Sequence, residues 1–109
     1  MIVDHRKKTL FGGITLQEYC PRKKELIGQA QHITFGTGLG CTEGPHIFQR
    51  NGWYYLILAE GGTEYGHAVS VARAKNLEGP YEFCPHNPIM TAAEDPKARL
   101  QKLGHADFV

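Results

Sequence analysis

The chain has 109 residues, and its 12 lysines and arginines stand against 11 acidic residues, for a formal net charge of +1. Hydrophobic residues make up 41% of the sequence and charged residues 21%. This composition is typical of a small soluble globular domain and argues against disorder. The balanced charge gives no electrostatic reason to expect binding to nucleic acid or to an anionic membrane.

The sequence shows no membrane-spanning segment, no secretion signal and no paired-cysteine motif. The longest apolar run, 53–59, is too short for a transmembrane helix, and the residues after Met1 lack the apolar core of a secretion signal. Cys20, Cys41 and Cys84 are widely spaced and form no CxxC pair. Free thiols in a reducing compartment are therefore expected, with a disulfide framework or a zinc site as the alternative, and the predicted location is cytoplasmic.

The first third of the chain predicts short β-strands. Residues 14–19 alternate apolar and polar side chains, as a strand with one wet face does. A charged turn over 20–25 follows, then a short strand at 26–27 that Gly28 ends. Another short strand is predicted at 32–35, and the glycine-rich stretch 36–40 breaks it.

The middle of the chain predicts a β-hairpin. The dipeptide Asn51-Gly52 lies between two apolar-rich segments, 47–50 and 53–58. Asn-Gly tolerates the positive φ angles of a type I′ turn, whose twist matches the strands that it joins. The second segment is apolar on both faces, which predicts a strand inside a packed sheet.

The remaining segments complete an all-β pattern. A strand over 68–74 carries only Ala and Ser on one face, and a short outer strand is predicted at 81–84. The stretch 95–104 fits either a short helix capped by Asp95 or a loop. About seven short strands linked by Gly and Pro turns indicate a sandwich, a barrel or a propeller.

Both ends of the sequence look like interrupted strands. Residues 106–109 resemble the start of a strand, and residues 1–4 resemble a strand already in progress. The expectation is therefore that the chain is cut from a larger β-architecture.

One motif has residues that could do chemistry. In Thr42-Glu43-Gly44-Pro45-His46 a carboxylate stands directly before Gly-Pro at a strand entrance. It could be an ordinary turn residue, or a general acid at the end of a strand in a ligand cleft. The local pattern leaves both interpretations open.

Short strings with a recognisable order are spread along the chain from residue 13 to residue 107, and none falls in 92–101. The strings are Gly13–Tyr19, Thr42–Phe48, Asn51–Leu56, Ala59–Thr63, Gly66–Ala74, Asn76–Glu82, Asn87–Thr91 and Gly104–Asp107. Together they resemble glycoside hydrolase family 43, and their order is most similar to its β-xylosidase branch.

The resemblance implies a fold and a domain assignment. The family's fold is a five-bladed β-propeller, so residues 1–109 are expected to be a partial propeller domain of about two middle blades. Because two blades cannot close a ring, their apolar faces are expected to meet the missing blades or further copies of this chain.

The resemblance also implies a reaction. The family hydrolyses β-1,4-xylosidic or α-arabinofuranosidic bonds with inversion, using an acid and a base roughly 6.5–9.5 Å apart. The motif match assigns the general acid to Glu43, with a xylo-oligosaccharide or arabinosyl substrate. The alternative is a non-catalytic carbohydrate-binding or assembly segment of a propeller.

Two further expectations concern the rest of the site. The resemblance places His105 near the propeller axis, in contact with a water molecule or a metal ion, often calcium; no other cofactor is implied. No segment matches the family's basic Asp, so the chain is expected to carry the acid but not the base. If it did carry a base, Asp107 and Glu60 would be the nearest carboxylates.

Overall fold

The computed structural model describes residues 12–109, which form strands, turns and loops without a helix. The strands are β1 (Ile14–Cys20), β2 (Glu25–Thr34), β3 (Glu43–Arg50), β4 (Trp53–Glu60), β5 (Ala68–Ala74), β6 (Glu82–Phe83) and β7 (Met90–Thr91). The all-β prediction is confirmed for these residues. None of them belongs to a helix long and apolar enough to span a bilayer.

The strands form two antiparallel units. Strands β1 and β2 pair with each other as the β1–β2 hairpin. The second unit, called the large sheet below, has the order β3-β4-β5-β6, and β7 also pairs with β5. The predicted interrupted strand at 1–4 lies outside the described residues.

The predicted Asn51-Gly52 hairpin is confirmed. The turn residues have φ angles of 51° and 78°, as a type I′ turn requires, and Arg50 pairs with Trp53 across it. The prediction that the second strand is buried is confirmed for 56–58, while 53–55 are partly buried.

The small residues of β5 serve close packing. Ala68, Ser70 and Ala72 are almost completely buried, and they pair with Glu60, Leu58 and Leu56 of β4. The small side chains of β5 therefore leave space that the larger side chains of the neighbouring strand, β4, can fill.

Strand β2 corrects the prediction of two short strands at 26–27 and 32–35. It is one strand of ten residues, and Gly28 lies inside it with a φ of 68°. The register slips opposite Gln17, whose side-chain amide donates to the Gly28 carbonyl at 2.8 Å. Gly28 therefore accommodates a bulge instead of ending the strand.

Two expectations near the C-terminal end are decided by local contacts. The Asp95 carboxylate accepts the Lys97 N–H at 3.0 Å, and residues 95–104 form turns and loop, so the loop interpretation is correct and the helix is wrong. The predicted strand at 106–109 is also wrong, because these residues form no ladder. Strand β7 was not predicted, because a segment of two residues is too short to show an alternation of apolar and polar side chains.

A small apolar core holds the two units together. Ile14, Leu56 and Leu58 form its buried centre, with partly buried side chains packed around it, namely Ile33, Ile47, Tyr81 and Phe83. Burial of each large side chain contributes about 1.5–3 kcal/mol. The start of β3, the end of β4 and the start of β5 meet at one edge of the large sheet, where the candidate site lies.

Candidate active site

Glu43 occupies the first position of β3, where a bulge sets its backbone. Its partner on β4 is Ala59, and the register slips by one residue between Glu43 and His46. Gly44 takes a φ of 57°, which few residues other than glycine adopt, and Pro45 has no N–H to lose from the ladder. The order Glu-Gly-Pro therefore builds a bulge, a device that re-aims a neighbouring side chain.

The Glu43 side chain is half-buried and has no hydrogen bond or ion pair from residues 12–109. Its strand, β3, is an edge strand of the large sheet within the described residues. A carboxyl group in this setting can interact with a ligand or with a residue outside 12–109.

The structure brings the segment of His105 against the segment of Glu43. A Cβ at Gly44 would lie 3.0 Å from the His105 ring, so the imidazole packs on the glycine beside Glu43. Two residues further along each segment, His46 Nδ1 lies 3.4 Å from an Asp107 carboxylate oxygen. The two predicted site residues therefore belong to adjoining segments.

The described residues do not fit a calcium ion on their own. Calcium takes six to eight oxygen ligands, whereas His105 offers a ring nitrogen. In the part of the chain that the structure describes, no three His, Cys, Asp or Glu side chains gather to hold a metal ion. The assignment of His105 to a bound water or metal ion stays a prediction.

Glu60 is a functional candidate whose role sequence reasoning missed. Its side chain is 0% exposed, and its carboxylate accepts four hydrogen bonds. They come from the Thr37 N–H at 2.9 Å, the Thr37 hydroxyl at 2.7 Å, the Thr42 hydroxyl at 2.8 Å and the Ser70 hydroxyl at 2.6 Å. Such pairing is what allows a carboxylate to be buried. The available signal was a charged residue at the end of an otherwise apolar buried strand.

His67 supports the turn that precedes His105. Its Nδ1 lies 3.2 Å from the Lys102 carbonyl oxygen, which can only accept, so Nδ1 is the donor. The His67 ring packs so closely on Gly104 that a side chain there would overlap it. The other ring nitrogen, Nε2, is buried and has no partner among the described residues.

An exposed ion pair lies at the same turn. The Lys102 ammonium is 3.0 Å from a Glu64 carboxylate oxygen, and this hydrogen bond raises the pKa of Lys102. Both side chains are solvated, so the pair contributes little to stability.

One groove of the large sheet lies away from Glu43. It has a volume of about 470 Å³ and is lined by residues that include Tyr55, Val71, Arg73 and Phe83. Arg73 lies near the C-terminal end of β5, whereas Ala68, which pairs with Glu60, lies at its N-terminal end. The carboxyl group of Glu43 therefore lies at a sheet edge, outside this groove.

Comparison with known proteins places this geometry in a family. The profile of Glycosyl hydrolases family 43 matches residues 1–109. The chain is 50% identical over its whole length to xylosidase/arabinosidase 43B of Humicola insolens and 49% identical to a β-xylosidase of Bacillus subtilis. It spans only about a fifth of the length of these relatives: 20% of the first and 21% of the second.

Solved structures agree with the sequence matches. The xylan β-1,4-xylosidase from Bacillus halodurans superposes with a TM-score of 0.92 at 47% identity, covering 96% of this chain and 20% of that one. A second structure, the BlXynB protein of Bacillus licheniformis with a K247S substitution, gives a TM-score of 0.80 at 43% identity over 95% of this chain and 21% of that one. These likenesses confirm the predicted propeller segment, and the chain belongs to glycosyl hydrolases family 43.

Proposed function

We propose that this chain is the acid-bearing segment of a glycosidase that hydrolyses β-1,4-xylosidic or α-arabinofuranosidic bonds with inversion. The observation that carries the proposal is the half-buried carboxyl group of Glu43, which has no hydrogen-bond or ion-pair partner among residues 12–109 and lies beside the glycine on which His105 packs. The match to xylosidases and arabinosidases supports the substrate class.

In the proposed mechanism Glu43 is the general acid. Its carboxyl proton passes to the glycosidic oxygen while the bond from the anomeric carbon to that oxygen breaks, and the electron pair stays on the oxygen. A water molecule adds to the anomeric carbon from the opposite face and gives up a proton to a base. Glu43 ends the step as a carboxylate.

The proposed base lies outside residues 12–109. Glu60 does not suit this role, because it is 0% exposed and its two oxygens already accept four hydrogen bonds. Asp107 is exposed and lies 3.4 Å from His46, on the segment that adjoins Glu43. Inversion needs a base on the far side of the sugar from the acid.

A complete propeller is needed to test the acid. We define the grafted enzyme as the Bacillus subtilis β-xylosidase in which this chain replaces the matching 110-residue segment. Glu43→Gln in the grafted enzyme should lower kcat on xylobiose by about 10²–10⁴-fold, the usual contribution of general acid catalysis. The loss on a dinitrophenyl xyloside should be far smaller, because that leaving group departs without a proton.

Glu64→Gln is the matched control, since it makes the same chemical change at a side chain that is 78% exposed. It should leave both rates nearly unchanged. Equal losses on both substrates in Glu43→Gln would remove Glu43 from the acid role. Binding of xylobiose without hydrolysis by the unsubstituted grafted enzyme would favour a carbohydrate-binding segment instead.

A further inference from the structure

We infer that Glu60 is a positioning residue that fixes the acid segment through the hydroxyl of Thr42. The inference rests on the proposed function of Glu43 and adds a residue that sets where that carboxyl group stands. Glu60 itself touches no substrate, because its side chain has no exposed surface.

The topology places Glu60 at the base of the acid segment. It is the last residue of β4, and the residue before it, Ala59, pairs with Glu43. Glu60 Oε1 accepts the Thr42 hydroxyl at 2.8 Å. Since Thr42 immediately precedes Glu43, this bond ties the acid to β4 from a second direction.

The bulge makes this second attachment important. Beyond Glu43 the ladder slips, and Gly44 and Pro45 supply an unusual φ and no N–H where a regular strand would continue. The backbone of Glu43 is therefore weakly held on its C-terminal side. The Thr42 bond holds it on the N-terminal side.

The same carboxylate fastens the loop that passes over it. Glu60 Oε1 also accepts the Thr37 N–H, and Oε2 accepts the hydroxyls of Thr37 and Ser70. Gly36 fits so tightly against Thr42 and Glu60 that a Cβ there would overlap both. The packing leaves the Thr42 hydroxyl little room to move.

The arrangement of donors provides a matched set of variants. Oε1 has two donors, Thr42 and the Thr37 N–H, and Oε2 has two donors, Thr37 and Ser70. Thr42→Val removes one hydroxyl from Oε1, and Ser70→Ala removes one hydroxyl from Oε2. The Thr42 hydroxyl also lies 3.1 Å from the Phe35 carbonyl oxygen, but it has a single proton, and the shorter contact with the charged carboxylate is the stronger hydrogen bond. Only the first change lies next to Glu43, so the two variants separate positioning from general support of the buried carboxylate.

The rate test uses the grafted enzyme and its two substrates. A displacement of about 1 Å in a catalytic group can cost about 10²-fold, so Thr42→Val should lower kcat on xylobiose by about tenfold or more. Its rate on the dinitrophenyl xyloside, which needs no acid, should fall much less. Thr42→Ser, which restores the hydroxyl, should recover most of the xylobiose rate.

Ser70→Ala is expected to lower the melting temperature as Thr42→Val does and to keep the ratio of the two rates. A Thr42→Val enzyme with an unchanged ratio would overturn the inference, and so would a Ser70→Ala enzyme with the same change in ratio. Either result would mean that the carboxylate supports the fold without directing the acid.

Amide hydrogen exchange tests the same point without any turnover. Exchange of the peptide that covers 42–46 should speed up in Thr42→Val and stay slow in Ser70→Ala and Thr42→Ser. Equal protection in all three would overturn the inference. If the unsubstituted grafted enzyme hydrolysed neither substrate, the proposed function would fail, and the exchange comparison would still decide what Glu60 positions.

Discussion

The three main strands of the large sheet, β3 to β5, are seven or eight residues long and the two strands of the β1–β2 hairpin seven and ten, yet the two units bury very different amounts of side chain. In the large sheet, residues 56–60 of β4 are all buried. In the hairpin, residues 25–32 of β2 are all exposed. The hairpin reaches the core only at one end, through Ile14 and Ile33.

This difference shows that a regular ladder of backbone hydrogen bonds between two strands is not by itself evidence of a stable unit. Backbone hydrogen bonds that water can replace contribute little net free energy, whereas burial of apolar side chains drives folding. The candidate site lies on the unit that has the core. The buried Glu60 cluster gives the start of β3 a fixed frame, and no counterpart with a fully buried charge exists in the described part of the hairpin.

The largest expected difference comes from truncating one leucine in each unit of the 109-residue chain. Leu56 of β4 is 0% exposed and Leu26 of β2 is 62% exposed. Leu56→Ala should lower the free energy of unfolding by about 2–5 kcal/mol, because it removes buried contacts and leaves a cavity. Leu26→Ala should change it by about 0.5 kcal/mol or less. Urea denaturation measures both, and equal losses would show that the hairpin has a core of its own.

The fold was readable from sequence where turn chemistry and burial acted locally. Asn51-Gly52 and the apolar strand after it predicted the β3–β4 pair, and the small residues of β5 predicted close packing. Gly28 misled, because a glycine ends a strand in one context and permits a bulge in another, and only the pairing partner decides. Residues 106–109 have a strand's composition without a ladder partner among the described residues.

The candidate site could be predicted from the sequence only in part, and the prediction depended on family motifs instead of local patterns. Glu43 and His105 were named from motifs that resemble a family, and no local pattern would have brought them onto adjoining segments. The contact between Gly44 and the His105 ring joins positions about sixty residues apart, which depends on tertiary packing. The Glu60 cluster has the same character, since its donors come from a loop, from β5 and from the residue before β3.

Two glycines give a smaller test of the same comparison. Gly36, beside the Glu60 cluster, has a φ of 93°, and an added Cβ would overlap Thr42 and Glu60. Gly28, in the hairpin, has a φ of 68° and nothing within 4 Å of that position. Gly28→Ala should cost only the backbone term of about 1 kcal/mol, while Gly36→Ala should cost about 3 kcal/mol because overpacking adds to it.

Thermal unfolding of both variants measures this difference, with the unsubstituted chain as reference. The crowded site should show the lower melting temperature. If Gly28→Ala proved as damaging as Gly36→Ala, the hairpin bulge would have to be packed against other residues, and the two units would differ less in packing.

The smallest expected effect is the pH dependence of the unfolding free energy that the Tyr81 hydroxyl contributes. Tyr81 packs against that core and donates its hydroxyl to the Leu77 carbonyl at 2.7 Å. Burial, followed by the nearby charge of Glu78, raises the pKa of Tyr81 above its ordinary value of 10.0. As the pH rises past about 10, the phenol therefore ionises first in the unfolded chain, and the folded state holds more protons. The free energy of unfolding should be unaffected by this group below pH 10 and should fall as the pH rises through the folded-state pKa.

Tyr81→Phe keeps the ring in the core and removes the titrating hydroxyl. Its free energy of unfolding, measured with urea, should therefore fall less steeply with pH over the same alkaline range. An identical slope in both proteins would show that Tyr81 is as solvated when folded as when unfolded, and that it does not pack against the core of the large sheet.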